Sequence, residues 1–326
     1  MPWFDLPEAE LRTYRTDTVE PDGLDAWWAA RLGEAQSAAR ETTLTRYKPE
    51  VYGDTEVYDV EFSGARGDRV RAWYLRPAGA GDGPHPVLVT YIGYGGGRSL
   101  PLDHLVWPGV GIATLVMDTR GQGGRWSVGA TPDGEGTSSE RSEVMTRGIA
   151  SPETYYYTRL YVDAARAVEV AKGLPGADPS RIGVTGGSQG GALSLAAAAL
   201  KPADVRVCAA DVPFLCDIQR GITLTAATPY REVADFLAVN AALVDAARNT
   251  LRYVDNALLA SRITADTYVS VGLMDEICPP STVFAAYNAV GAPKQIEVNP
   301  FGVHQHSRVH DEVKVAFVRE RLLAGR

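Results

Sequence analysis

In a chain of 326 residues, Gly186-Gly187-Ser188-Gln189-Gly190 sets one serine where the apolar stretch "RIGVTGG" gives way to "GGALSLAAAAL". The first stretch predicts a buried strand and the second an alanine-rich helix, so Ser188 stands on a strand-to-helix turn that glycines allow to be tight. Such a turn lifts a hydroxyl clear of the carboxyl edge of a sheet, with a helix N-terminus behind it to favour negative charge. The pattern G-x-S-x-G is weak by itself in a chain with 33 glycines; the strand before it and the helix after it give it weight.

A serine hydroxyl becomes a nucleophile when a base takes its proton, and the base needs an acid to hold its tautomer. In "YVSVGLMDEICPPSTVF" Asp275 follows a strand and precedes a Pro-Pro helix entry, the place for that acid, with Glu276 as its rival. In "EVNPFGVHQHSRVHDEV" His304 lies on the loop after the last strand. The chain order Ser188, Asp275, His304 is that of α/β-hydrolases. The oxyanion then requires two backbone N–H donors: Gln189, directly after the serine, and Tyr94, which opens the glycine run of "YIGYGGGRS" after the third strand. Tyr94 and Ile277 are placed as walls of the acyl pocket. His304, His306 and His310 crowd one region, but their spacing fits no helical ligand pair and no carboxylate motif accompanies them, so no metal is expected. His306 and His310 are expected at a helix start and on its outer face, His104 on a helix surface or in packing, and His85 in a turn.

The elements that must position these groups follow from apolar periodicity. "DGLDAWWAARLGEAQSAAR" (22–40) reads as an amphipathic helix, and "EVYDVEF" (56–62) with "RVRAWYLRP" (69–77) as an antiparallel hairpin. Strands of the kind buried on both faces follow at 86–93, 111–118, 181–187, 205–211, 267–275 and 294–300, with helices at 154–174, 190–200, 280–290 and 307–323. Residues 125–151 are a polar, glycine-rich loop, and 214–262 carry helical pieces without a strand. The expected architecture is one α/β-hydrolase domain over 1–326: a mostly parallel sheet flanked by helices, a helical extension at 1–55 and a helical insertion at 214–262 before the acid-bearing strand.

Composition narrows the class. With 45% hydrophobic residues the chain can bury a large core without disulfides or a structural metal. A net charge of -8 without a basic cluster argues against a nucleic-acid or anionic-membrane surface. The N-terminus shows no basic segment followed by an apolar run, and no stretch approaches the ~20 apolar residues of a membrane span, so a cytoplasmic protein is expected. Cys208, Cys216 and Cys278 form no C-x-x-C pair and read as small buried hydrophobes.

Taken together, "YIGYGGGRS", "WPGVGIATLVMDTRGQG", "MTRGI" with "TYYYTRLY", "GGSQGG", "DVPFLC" and "VGLMDEICPPSTVFAAYN" resemble the acetyl xylan esterase and cephalosporin C deacetylase group, family seven of the carbohydrate esterases. The resemblance spans nearly the whole chain. It implies Ser188 as nucleophile, Asp275 as acid, His304 as base, and the backbone of Tyr94 and Gln189 as oxyanion donors. It further implies removal of acetyl groups from small sugars such as xylo-oligosaccharides and from cephalosporin C-like esters, no metal or organic cofactor, and a homohexamer built as a trimer of dimers. Arg120-Gly121-Gln122 belongs to the resemblance and reads as a buried arginine network at a strand end. One departure is Gln305, where the family usually carries glutamate. The rivals are a serine peptidase of the same fold, which usually carries a propeller or a larger lid, another small-ester hydrolase of that fold, and a non-catalytic binding protein, which would be expected to have lost one of the three triad residues.

Overall fold

The computed structural model describes residues 3–79, 83–134, 143–304 and 308–323. Gln305 and His306 lie outside the described residues. Nine strands make one sheet: β1 (Thr43–Arg46), β2 (Thr55–Ser63), β3 (Arg69–Pro77), β4 (His85–Tyr91), β5 (Ala113–Met117), β6 (Ala177–Gly187), β7 (Val205–Asp211), β8 (Asp266–Gly272) and β9 (Lys294–Asn299). Their order is β1-β2-β3-β5-β4-β6-β7-β8-β9. The first strands pair antiparallel, and from β5 to β9 every pair is parallel. Since β5 lies on one side of β4 and β6 on the other, the order reverses between β4 and β6. In open parallel sheets the crevice at such a switch is where ligands sit.

Burial on both faces explains the near-continuous apolar strands β4 to β8; β9, expected to be of the same kind, is instead an edge strand with no fully buried residue. On one face, helices α2 (Tyr156–Lys172), α3 (Gln189–Leu200) and α7 (Pro280–Ala289) cover the sheet, together with α1 (Leu24–Ser37), α4 (Ile218–Leu224), α5 (Tyr230–Val239) and α6 (Val244–Arg252) further out. On the other, Phe317, Val318 and Leu322 of α8 (Arg308–Leu323) pack on Leu88, Val207, Ala209 and Tyr268. The N-cap and first turns of α2 bury Tyr155, Tyr156, Tyr157 and Tyr161, and each hydroxyl finds an acceptor: Met145 O at 3.0 Å, Arg120 O at 2.6 Å, Gln189 Oε1 at 3.0 Å and Val254 O at 2.9 Å. A buried phenol left without such a partner would be costly, so these bonds fix where α2 lies against the loops.

Several expectations shift. The N-terminal stretch is not helical throughout, because residues 43–46 add strand β1 beside β2. His85 is not in a turn: it opens β4 and is buried. Strand β8 stops at Gly272, three residues short of Asp275. His310 faces inward rather than outward; its ring lies against Tyr268 and 3.4 Å from an Asp211 oxygen. The described parts of the 125–151 loop hold turns without helix or strand, and 214–262 is helical, without a strand. No helix among the described residues is long and apolar enough to cross a membrane.

Candidate active site

Ser188 follows β6 directly and precedes α3, with φ 57° and ψ -117°. A non-glycine residue rarely takes such a backbone, and here the neighbours hold it: Ser188 N donates to Asp211 O at 2.9 Å, and its own carbonyl accepts from Phe214 N at 3.0 Å and Ala192 N at 2.9 Å. The glycines around it are required by approach. A Cβ on Gly190 would stand 2.3 Å from the Tyr91 carbonyl oxygen, so only glycine lets α3 start this close to β4. The side chain is thereby presented at the carboxyl edge of the sheet, in front of a helix N-terminus.

Asp275 is fully buried. Its Oδ1 accepts from Ile277 N at 2.8 Å and Cys278 N at 2.9 Å, while Oδ2 lies 2.8 Å from His304 Nδ1. The turn after β8 and the loop after β9 are laced together by Leu273 N to Asn299 O at 3.0 Å and Met274 N to Gly302 O at 2.9 Å. Gly272 makes this crossing possible, since a Cβ there would meet Gly302 O at 2.5 Å and Val303 O at 2.6 Å. The histidine loop thus lies across the end of β8, and His304 falls on Asp275 although 29 residues separate them. Glu276, the rival acid, leaves its buried Oε1 without a partner among the described residues.

Cys278 joins this group. Burial pushes its thiol well above the usual range, the Asp275 charge adds to that, and a hydrogen bond with Ser188 opposes it. One ligand atom each of Asp275, Cys278 and His304 lies within 4.8 Å of the others, close enough in principle for one ion. The thiol's resistance to ionisation disfavours that use, because a metal takes the thiolate. The histidines themselves form no cluster among the described residues: His304 sits on Asp275, whereas His310 sits with Tyr268 and Asp211.

The N–H groups of Tyr94 and Gln189 meet no acceptor among the described residues. Gln189 N is the first amide of α3, one of the groups a helix cannot satisfy internally. The side chains beside these amides are tied down. Gln122 Oε1 accepts from Gly95 N at 2.6 Å, and Gln122 Nε2 donates to Tyr156 Oη at 2.8 Å and Gln189 Oε1 at 2.9 Å. Gln189 Nε2 in turn donates to Ile92 O at 3.2 Å. Gln122 thereby fastens the glycine run to the first turn of α3, a role that its place in Arg-Gly-Gln hinted at without revealing.

Arg120 of the same motif is buried, as the sequence implies. It forms a forked pair with Asp163 at 2.6 and 2.9 Å and reaches Asp68 at 2.9 Å and Asp133 at 3.2 Å. Tyr94 Oη meets Glu232 of α5, a contact no local pattern announces. Ile277 is half-buried beside Asp275 and packs against the main core.

Comparison with known proteins agrees with this architecture. Residues 1–322 match the model of the acetyl xylan esterase (AXE1) family. The acetyl xylan esterase from Paenibacillus sp. R4 superposes with a TM-score of 0.89 at 33% identity, covering 97% of this chain and 100% of its own. Acetyl xylan esterase 1 from Thermoanaerobacterium sp. JW/SL YS485 gives 0.86 at 33% identity, covering 97% and 99%. The acetyl esterase Axe7A of Xylanibacter ruminicola is 27% identical over 289 residues; these cover 88% of this chain and 64% of that longer protein. The peptidase and the non-catalytic rivals share the α/β-hydrolase fold, and it is the family match over residues 1–322 that sets them aside: the chain belongs to the acetyl xylan esterase (AXE1) family and is a carboxylic ester hydrolase.

Proposed function

We propose that the protein is a serine esterase that removes O-linked acetyl groups from small acetylated sugars, xylo-oligosaccharides first, through an acetyl-serine intermediate. The observation that carries the proposal is the 2.8 Å contact of Asp275 Oδ2 with His304 Nδ1, in a chain that also holds Ser188 on a strained strand-to-helix elbow. Ser188 Oγ attacks the acetyl carbonyl as His304 Nε2 takes its proton, and the N–H groups of Gln189 and Tyr94 receive the oxyanion. His304 returns the proton to the departing sugar oxygen as the C–O bond breaks. Water, deprotonated by His304, then cleaves the acetyl-serine, releasing acetate and restoring the hydroxyl. Asp275 stays ionised and holds Nδ1–H throughout.

Tyr94 and Ile277 are the proposed walls of the acetyl pocket. One additional methylene is worth only ~1–3 kcal/mol of discrimination, so longer acyl chains should be cut slowly rather than refused. Cephalosporin C-like esters belong to the same proposal, as do a cytoplasmic location and assembly into a homohexamer, the latter resting on family resemblance alone.

The test is acetate release from 4-nitrophenyl acetate, acetylated xylobiose and cephalosporin C by the wild type and by Ser188→Ala. The expected result is turnover by the wild type and a loss on the order of 10⁵- to 10⁶-fold in kcat for the variant. An alanine variant that keeps wild-type turnover would show that Ser188 is not the nucleophile.

A further inference from the structure

Loop 125–151 takes no part in the chemistry above, yet it begins with an indole that is 61% exposed, Trp126. The ring is anchored rather than free. Its Nε1 donates to Tyr94 O at 2.8 Å, on the residue whose N–H is the proposed oxyanion donor. One face of its benzo ring lies on the glycine run, so closely that a Cβ on Gly96 would stand 2.2 Å from Trp126 Cζ2, 2.5 Å from Cε2 and 2.7 Å from Cη2, directly above the ring plane. A Cβ on Gly93 would touch both Trp126 Cζ2, at 3.5 Å, and the carbonyl oxygen of Gly187, at 3.6 Å. Gly187 immediately precedes Ser188, so only Gly93 separates the indole from the backbone of the elbow.

A ring seated on Gly96 by one face and held at Nε1, yet still mostly exposed, presents its opposite face to solvent as a rigid apolar surface. Val128, 66% exposed, extends the apolar surface along the same loop. Polar groups stand close by: Arg125, exposed and in position to meet a Cβ on Gly95 at 2.8 Å, carries a charge that acts on the Glu232 carboxyl. An apolar face beside hydrogen-bonding groups suits a ligand with one C–H-bearing face and a polar perimeter. The negative face of an aromatic ring attracts such C–H groups. A pyranose ring has both features.

We infer that Trp126 forms a sugar-binding subsite, its exposed face stacking on the pyranose ring of an acetylated xyloside whose ester is held at Ser188. This rests on the esterase assignment and adds to it the part of the substrate that does not react. Trp126 makes its contact with the ring in the ground state and the transition state alike, so its loss should appear mainly in KM.

The experiment compares ethyl acetate, which has no ring, with mono-acetylated methyl β-D-xylopyranoside, in wild type, Trp126→Ala and Trp126→Phe. The alanine variant should lose about 3- to 10-fold more in kcat/KM on the xyloside ester than on ethyl acetate, through KM, and phenylalanine should recover most of that difference. Unreacted methyl β-D-xylopyranoside should inhibit ethyl acetate hydrolysis competitively, and less well with the alanine variant. Equal losses on the two esters would overturn the inference, making Trp126 a prop for the Tyr94 loop while the esterase assignment stands. A wild type that cuts ethyl acetate but not the xyloside ester would overturn both the subsite and the sugar specificity, and leave the serine mechanism in place.

Discussion

The Tyr94 hydroxyl meets both carboxylate oxygens of Glu232, at 2.8 and 2.7 Å, and accepts from Val144 N at 3.1 Å. Three separate segments converge there: the loop after β4, helix α5 of the insertion, and the end of the polar loop. Because the proposed oxyanion donor is the backbone N–H of the same Tyr94, its side-chain anchor decides where that N–H points. Burial pushes the Glu232 carboxyl up, and the Tyr94 hydrogen bond works against this by favouring the carboxylate.

Glu232 should therefore act as a positioning residue. Glu232→Ala is expected to lower kcat on ethyl acetate about 10- to 100-fold with little change in KM, the effect of a misplaced catalytic group. Glu232→Gln keeps an acceptor for the phenol and should recover most of the rate. Steady-state kinetics on the three proteins checks this; a loss confined to KM would place Glu232 in substrate binding instead.

Arg120 offers a stability test away from the chemistry. Its guanidinium and the Asp163 carboxylate are both buried, and Asp163 Oδ1 also accepts from Ala65 N at 2.8 Å. Arg120→Met leaves that carboxylate buried without its cation and should cost about 3–5 kcal/mol in urea unfolding. Replacing both partners, Arg120→Met with Asp163→Leu, removes the stranded charge and should recover a substantial part. A double variant no more stable than the single one would mean that the Asp163 bond to Ala65, rather than charge pairing, sets the cost.

The elbow and the residues proposed as acid and base could be picked out in the sequence because each sits where a run of one periodicity stops. Ser188 falls between a strand and a helix, Asp275 before a Pro-Pro entry, and His304 on the loop after the last strand. Groups defined by contacts between distant segments were not legible in that way. Gln122 meets Gly95 across 27 residues and Glu232 meets Tyr94 across 138, and nothing local marks either as a partner. Cys278 reads as a small hydrophobe and is buried as expected, but nothing local marks its closeness to Asp275 and His304, which comes from two distant loops meeting. The error at His310 had an available signal: it lies seven residues before Phe317, hence on the same face of α8, and Phe317 is in the core.

Asp255 supplies a pH-dependent prediction. It is wholly buried after α6, where Oδ1 accepts from Asp217 N at 2.7 Å and Ala257 N at 2.9 Å, and Oδ2 accepts from Ile218 N at 2.7 Å. One carboxylate thus caps the first turn of α4 and that of the short helix it precedes. Burial pushes its carboxyl up to about 7, with the Asp217 charge adding to the rise and the three N–H groups opposing it. The folded state therefore holds this proton more tightly than the unfolded chain, whose carboxyl titrates near ~4. Between ~4 and about 7 the folded protein binds more protons than the unfolded one, so this group's contribution to stability is full below ~4 and declines as pH rises toward about 7. Urea midpoints should accordingly fall from about pH 5 to about pH 8 in the wild type, and less steeply in Asp255→Asn, which cannot ionise. The asparagine amide turns a donor toward one of the capped N–H groups, so the variant should start about 1 kcal/mol lower at acid pH and close the gap as pH rises. Parallel profiles for the two proteins would show that Asp255 does not titrate in this range.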